Sequence, residues 1–336
     1  MLKNIFILGL SICTLYANAK KPKVAKPPLQ TIIIDPGHGG VDQGAGGAKS
    51  TEAENALAIS FKVRELLKQQ IPELKVLMTR EKNELAGGGN KQESLHYIAN
   101  FANQNKADLF VSIHLNSTNV RYERRLEGYR TETYYVTTGK GKKKKKTPKT
   151  REVPIYVRYR SENQATGTQT YIWAANNYVN GTKESAVGRN TEEEEGIDSS
   201  FQTELTSVEA KIRANLYTKA FFNKSKKLAE MVEEEFAKVG RKSWGVMQRN
   251  EKSIWVLQAT GMPSILVETG FISDLKEEDY LSSEQGQTET AQCVVNAIIR
   301  YKQNLEAAQK HADDLRAGGD SLPTQSMIKN VGSNNR

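Results

Sequence analysis

Two short apolar runs that each deliver a histidine constrain this chain most. Thr31–Ile34 leads through Asp35-Pro36-Gly37 to His38, and Leu109–Ile113 runs straight into His114. Runs of four or five β-branched and apolar residues bounded by turn residues read as buried strands. Strands of that kind belong to a parallel sheet covered on both faces. Ligands in such sheets gather at the carboxyl ends of the strands. The chain has four histidines, and two of them stand at that kind of position.

The rest of the pattern alternates in the same sense. Residues 53–69 carry Leu57, Phe61, Val63, Leu66 and Leu67 at helical spacing, and Pro72 stops the run. A second strand is expected over 74–78, and a helix over 94–105 with Ser94 as its cap. Residues 131–137 alternate and read as a fourth strand. Helical periodicity covers 205–239, as one long helix or two shorter ones. Short strands are expected at 254–257 and 264–267, and an amphipathic helix over 288–301. The expected fold is α/β: a mostly parallel twisted sheet with helices on both faces, in a single catalytic domain with a large insertion.

Two histidines at strand ends and a nearby carboxylate make the donor set of a catalytic zinc site with one open position. Glu52 and Glu54, at the start of the first helix, are the candidate carboxylates, and spacing alone does not choose between them. Asp35, three residues before His38, either holds a ligand imidazole or fixes the turn through backbone N–H groups. Asn116 stands at a strand mouth, where it orients a substrate amide or the loop backbone. Glu268 closes the apolar run Ser264–Val267. A carboxylate there is costly unless it is used or paired, and beside an activated water it suits a general base.

His38 in DPGHGG, Glu52 ahead of LAIS, His114 in SIHLN and Glu268 in PSILVETGFIS resemble the zinc-dependent N-acetylmuramoyl-L-alanine amidases. The resemblance runs from Thr31 to about Tyr301, with a poorly matching middle. It implies hydrolysis of the amide between N-acetylmuramic acid and L-alanine in peptidoglycan, for wall remodelling or daughter-cell separation. It implies His38, Glu52 and His114 as ligands of one Zn2+ per chain, and so decides for Glu52 over Glu54. Glu268 matches the catalytic glutamate of that family, and Asp35 and Asn116 match neighbours of the ligands. Leu115 and Asp274 depart from the family pattern, at positions not expected to touch a ligand. Rival readings are a zinc peptidase acting within the stem peptide and a wall-binding protein without turnover.

Organisation along the chain follows from composition. Residues 1–19, with an apolar run from Ile5 to Tyr16 and a closing Ala17-Asn18-Ala19, read as a signal peptide. Export to the periplasm is expected, with the cell surface or secretion as alternatives. Cleavage there would leave Cys293 as the single cysteine, a buried small hydrophobe rather than half of a disulfide. Residues 20–30 are a basic, proline-rich tether; 31–303 form the catalytic domain; 304–336 are a polar tail.

Residues 118–222 exceed what a minimal domain of the family needs. They include a polylysine loop at 140–151, expected to be solvated, with an anion-binding patch for glycan or lipid as the alternative. They also include Glu192, Glu193, Glu194 and Glu195, which as part of a lid over 153–222 would fill the open metal position until an activator protein displaced them. A monomer is expected, with no transmembrane segment in the mature chain. The formal charge of +9 favours acidic partners, but nucleic acid is not among those expected for an exported chain.

Overall fold

The computed structural model describes residues 26–119, 122–160, 165–174, 183, 208–249 and 254–319. The signal-peptide reading, Glu192 to Glu195 and the last part of the tail lie outside the described residues.

β1 (Thr31–Pro36), β2 (Lys75–Met78), β3 (Leu109–Asn116), β6 (Thr168–Ile172), β7 (Ser243–Gln248) and β8 (Ser264–Phe271) form a six-stranded sheet in the order β2-β1-β3-β8-β6-β7. Every neighbouring pair is parallel except β6 with β8. The sheet is therefore mostly parallel, as expected. Its central strands are apolar on both faces. Ile32 and Ile34 pack into the larger core cluster and Ile33 into the smaller one, because successive strand side chains point to opposite faces. Each such fully buried side chain stabilises the fold by about 1.5–3 kcal/mol.

The larger cluster is completed by α1 (Glu52–Gln70), α3 (Val208–Lys238) and α5 (Glu284–Gly319). The smaller is completed by α2 (Lys91–Gln104) and the short α4 (Trp255–Ala259). Cys293 is buried in the larger cluster.

Local chemistry sets the helix ends. Thr51 and Glu54 form a reciprocal capping box on α1, which ends at Ile71 just before Pro72. Asn90 and Glu93 do the same for α2, so the cap there is Asn90 and the expected Ser94 is a buried residue of the first turn. The segment 254–257 enters helix α4 rather than a strand; an apolar run so short has no period to read. The 205–239 periodicity is one helix, α3, and the helix at 288–301 extends to Gly319, well into the expected tail.

The long middle segment departs most from expectation. Residues 131–137 are indeed strand, but within β4 (Tyr122–Thr138), which pairs in antiparallel register with β5 (Lys145–Arg160). The two make a separate ribbon and add nothing to the main sheet. The polylysine stretch is a loop only around Gly139–Lys144; from Lys145 onward it is strand, still fully exposed. β6, also in this segment, occupies an interior place in the main sheet between β8 and β7.

Candidate metal centre

The three strands β1, β3 and β8 lie side by side, and their carboxyl ends bring the predicted site together. His38 follows β1 by two residues, His114 lies near the end of β3, and Glu268 is its direct neighbour on β8. Glu52, the first residue of α1, reaches in from the side. Its Oε1 lies 2.8 Å from His114 Nδ1 and 3.2 Å from His38 Nε2. The two imidazole centroids are 5.0 Å apart. One donor atom from each of the three residues falls within 4.8 Å of the others. A two-nitrogen, one-oxygen set with an open side fits Zn2+.

The backbone is shaped around these rings. His38 itself has φ 60°, an uncommon left-handed conformation for a residue with a side chain. Gly37 is required because a Cβ there would drive into the His114 ring. Gly44, at φ 65°, passes close over Glu52 and His38. Glu52 is fixed by two backbone donors: Ala45 N–H to Oε2 at 2.8 Å and Leu115 N–H to Oε1 at 3.2 Å, so Leu115, expected to stand clear of the ligands, touches one through its backbone.

Electrostatics favour positive charge here. Burial would raise the pKa of Glu52, but hydrogen bonds and charge from His114 and His38 hold it far below the ordinary carboxylate range. Burial would lower that of His114, but the Glu52 carboxylate pushes it up to about 9. A pocket that pulls a proton onto a buried imidazole is one suited to a cation. Glu268 behaves oppositely. Burial pushes it up to about 7, against the pull of His114 and with a further push from Glu52. Its Oε2 is buried and has no hydrogen-bond partner among the described residues. A carboxylate held near neutrality and unpartnered is what a general base needs.

These side chains open into a cavity of 510 Å³ walled by Leu95, Ile98, Tyr171, Arg249 and Trp255. Asn116 lines it too, and its Oδ1 accepts from Ser117 N–H at 2.7 Å, so its tie is to the loop backbone.

Asp35 fills neither expected role. It is buried and accepts from the hydroxyls of Thr79 at 2.6 Å and Ser112 at 2.7 Å, tying β1 to its neighbours on both sides. The carboxylate beside the outer nitrogen of His38 is Asp42, 3.0 Å from Nδ1 as an ion-pair contact rather than an aligned hydrogen bond. Glu54 is spent on the α1 capping box, its Oε2 accepting from Thr51 N–H at 3.0 Å. The pattern Thr51-x-x-Glu54 is itself the signal that separates it from Glu52.

Arg80 is the main residue that sequence reasoning missed. Buried, it donates to the carbonyls of Pro36, Gly37, Ala53 and Lys82 at 2.7–3.0 Å. It thereby locks the His38 turn to the start of α1, and so His38 to Glu52.

The profile of the N-acetylmuramoyl-L-alanine amidase family matches residues 32–300. A germination-specific N-acetylmuramoyl-L-alanine amidase of Bacillus subtilis is 41% identical over 126 residues, which cover 33% of this chain and 52% of that protein. The N-acetylmuramoyl-L-alanine amidase AmiC of Escherichia coli O6:H1 is 26% identical over 272 residues, covering 80% of this chain and 52% of that one. This chain thus spans about half the length of these relatives. Among solved structures, an N-acetylmuramoyl-L-alanine amidase of Clostridium difficile 630 aligns at 22% identity with a TM-score of 0.49, over 82% of this chain and 97% of that one.

Proposed function

From the premise that the chain belongs to the N-acetylmuramoyl-L-alanine amidase family, we propose that it hydrolyses the amide between N-acetylmuramic acid and L-alanine in peptidoglycan. The observation that carries this is the pairing of a His38–Glu52–His114 donor cluster with an unpartnered Glu268 on the adjacent strand.

His38, Glu52 and His114 would hold one Zn2+. When bound, the ion supplies Lewis acidity, polarising the scissile carbonyl and lowering the pKa of water. Glu268 takes the proton of the attacking water through its free oxygen and returns it to the departing alanine nitrogen. The new C–O bond stays with the muramic acid as a carboxylate, and the broken C–N bond leaves a free L-alanine amine. Arg80, Gly37 and Gly44 contribute by holding the three donor side chains in register. The mixed walls of the cavity, apolar from Leu95 and Ile98 and polar from Tyr171 and Arg249, suit a substrate that joins a sugar to a peptide.

Digestion of purified peptidoglycan, with a chelator and after zinc is restored, tests the reading. New amino-terminal L-alanine with intact muramic acid supports it. Cleavage confined to bonds inside the stem peptide would identify a peptidase instead, and binding without release would identify a wall-binding protein.

Export belongs to the same proposal, on the strength of the apolar run Ile5–Tyr16 and Ala17-Asn18-Ala19. A lid displaced by an activator is a separate part of it, motivated by the acidic block Glu192–Glu195 alone. β6 lies in the main sheet and so is no part of a lid, which leaves the rest of 153–222 for one. Deleting residues 190–197 should raise peptidoglycan release if a lid is there.

A further inference from the structure

The β4–β5 ribbon carries the whole formal charge excess of the protein. Residues 122–160 hold 13 of the 48 Lys and Arg but 4 of the 39 Asp and Glu, which leaves 35 of each sign in the rest of the chain. Within the ribbon the charge is also unevenly placed. The two strands together carry six arginines and four glutamates, and several of these groups are answered locally. Arg151 pairs with Glu132 at 2.7 Å, and Arg158, Arg125 and Arg151 lie over the rings of Tyr122, Tyr159 and Tyr134.

The end of the ribbon is different. Lys140, Lys142 to Lys146 and Lys149 are seven ammonium groups in ten residues, with no acidic residue between Glu132 and Glu152. None of the seven has a carboxylate partner among the described residues.

The ribbon is anchored where the metal site opens. β4 starts six residues after Asn116, Arg160 donates to the carbonyl of Ser273 at 2.8 Å, and Thr118 N–H donates to the hydroxyl of Ser273 at 3.0 Å. A strand of 17 residues carries its far end roughly 55 Å along its own length. Directly behind the lysines sit Tyr134 and Tyr135, opposite Lys149 and Pro148 in the register, and Tyr135 is 65% exposed.

We propose that this arm docks the enzyme on an anionic lipid surface through its lysine end. The placement of charge selects a surface over a polymer. A polymer lying along the strands would meet four glutamates and arginines already engaged, whereas a plane met end-on meets Lys140 and Lys142 to Lys146 at the tip first, with Lys149 set back at the level of Tyr134. Clusters of four to eight basic residues bind anionic bilayers, and tyrosine rings settle at headgroup level. The tyrosine pair behind the lysines stands where that depth would be.

Co-sedimentation of the full chain with vesicles tests the proposal. One set contains phosphatidylglycerol and phosphatidylcholine in equal parts, and the other phosphatidylcholine alone, which controls for the apolar Ile5–Tyr16 run. Binding is expected to the first set only, and should disappear toward 1 M salt, where the Debye length is about 3 Å. The combined change Lys142→Gln, Lys144→Gln, Lys146→Gln and Lys149→Gln should weaken it at least about 100-fold, since each lysine near such a surface contributes roughly a factor of five. The same variant should keep its circular dichroism spectrum and its cleavage of a soluble muramoyl peptide, because the arm holds none of the metal-site residues.

Equal binding to both vesicle sets, binding indifferent to salt, or parental binding by the variant would each overturn the proposal. So would retention on a purified anionic wall polymer, dependent on the same lysines, without vesicle binding. That last result would make the polymer the occupant. Vesicle binding requires no turnover, so its failure and a failure of the amidase reading are separate results.

Discussion

Around the metal centre nearly every charge is answered; at the end of the arm almost none is. Glu52 is held by two imidazoles and two backbone N–H groups, Arg80 by four carbonyls and Asp35 by two hydroxyls. Six residues beyond Asn116 the chain leaves this frame and builds a ribbon whose terminal lysines face water. The first region is specified by packing, so small changes in it should be felt both in stability and in chemistry. The second is specified by backbone pairing and cross-strand contacts, so its side chains are available for partners. Among the described residues the carboxylate exception inside the cleft is Glu268 Oε2, buried and unpartnered. That exception is where the proposed chemistry is placed.

The sharpest break of this contrast is Glu268→Gln, a near-isosteric change. It should lower kcat by about 10²–10⁴-fold, the range supplied by a positioned general base, while zinc content stays at the parental level. His114→Ala should act differently and remove the metal. Its loss of zinc affinity should exceed the about 10–100-fold typical for a residue that only orients a ligand, read by competition with a chromophoric chelator.

Packing comes next. Ile33→Ala in the smaller core cluster should cost about 2–5 kcal/mol in urea unfolding. Arg80→Met, which strips three buried carbonyls and one part-buried carbonyl of their donor, should cost about 3 kcal/mol and weaken zinc binding as well. Tyr135→Ser on the arm should fall within about 0.5 kcal/mol of the parent. Equal costs in the two regions would end the distinction between them.

A gentler probe is pH. Glu268 acts as a base only when ionised, and burial pushes its pKa up to about 7. Activity should therefore fall as pH drops through that value, tenfold per unit well below it. The positive charge of a bound ion would move this acidic limb downward, never upward. An acidic limb that Glu268→Gln leaves unchanged in position and slope would remove Glu268 from the role.

How much of this was legible in the sequence follows the same division. β1, β3 and β8 announce themselves because burial on both faces demands apolar runs; those of β3 and β8 lead directly into His114 and Glu268, and that of β1 reaches His38 through a short turn. α1 is legible from its apolar stripe and Pro72. The ribbon was only half legible, since strands stabilised by pairing alone carry no apolar signal and Lys145 onward reads as solvated charge. Ser94 is a good cap residue by type, and only the N3 glutamate, Glu93, marks Asn90 as the cap instead. Arg80 and Asp42 left no trace at all. Their roles depend on carbonyls and a ring brought close by the fold, which no local spacing encodes. Asp35 was noticed for its closeness to His38, yet its partners are Thr79 and Ser112, 44 and 77 residues away.

The most direct test joins metal content and product identity on the same samples. Parent and Glu268→Gln, both loaded with zinc, are incubated with peptidoglycan, and released amino termini are counted by mass spectrometry beside the zinc per chain. The account predicts one zinc in each protein and new L-alanine amines from the parent alone. Parental turnover by Glu268→Gln at equal zinc, or zinc-loaded parent that frees no L-alanine amine, would contradict it.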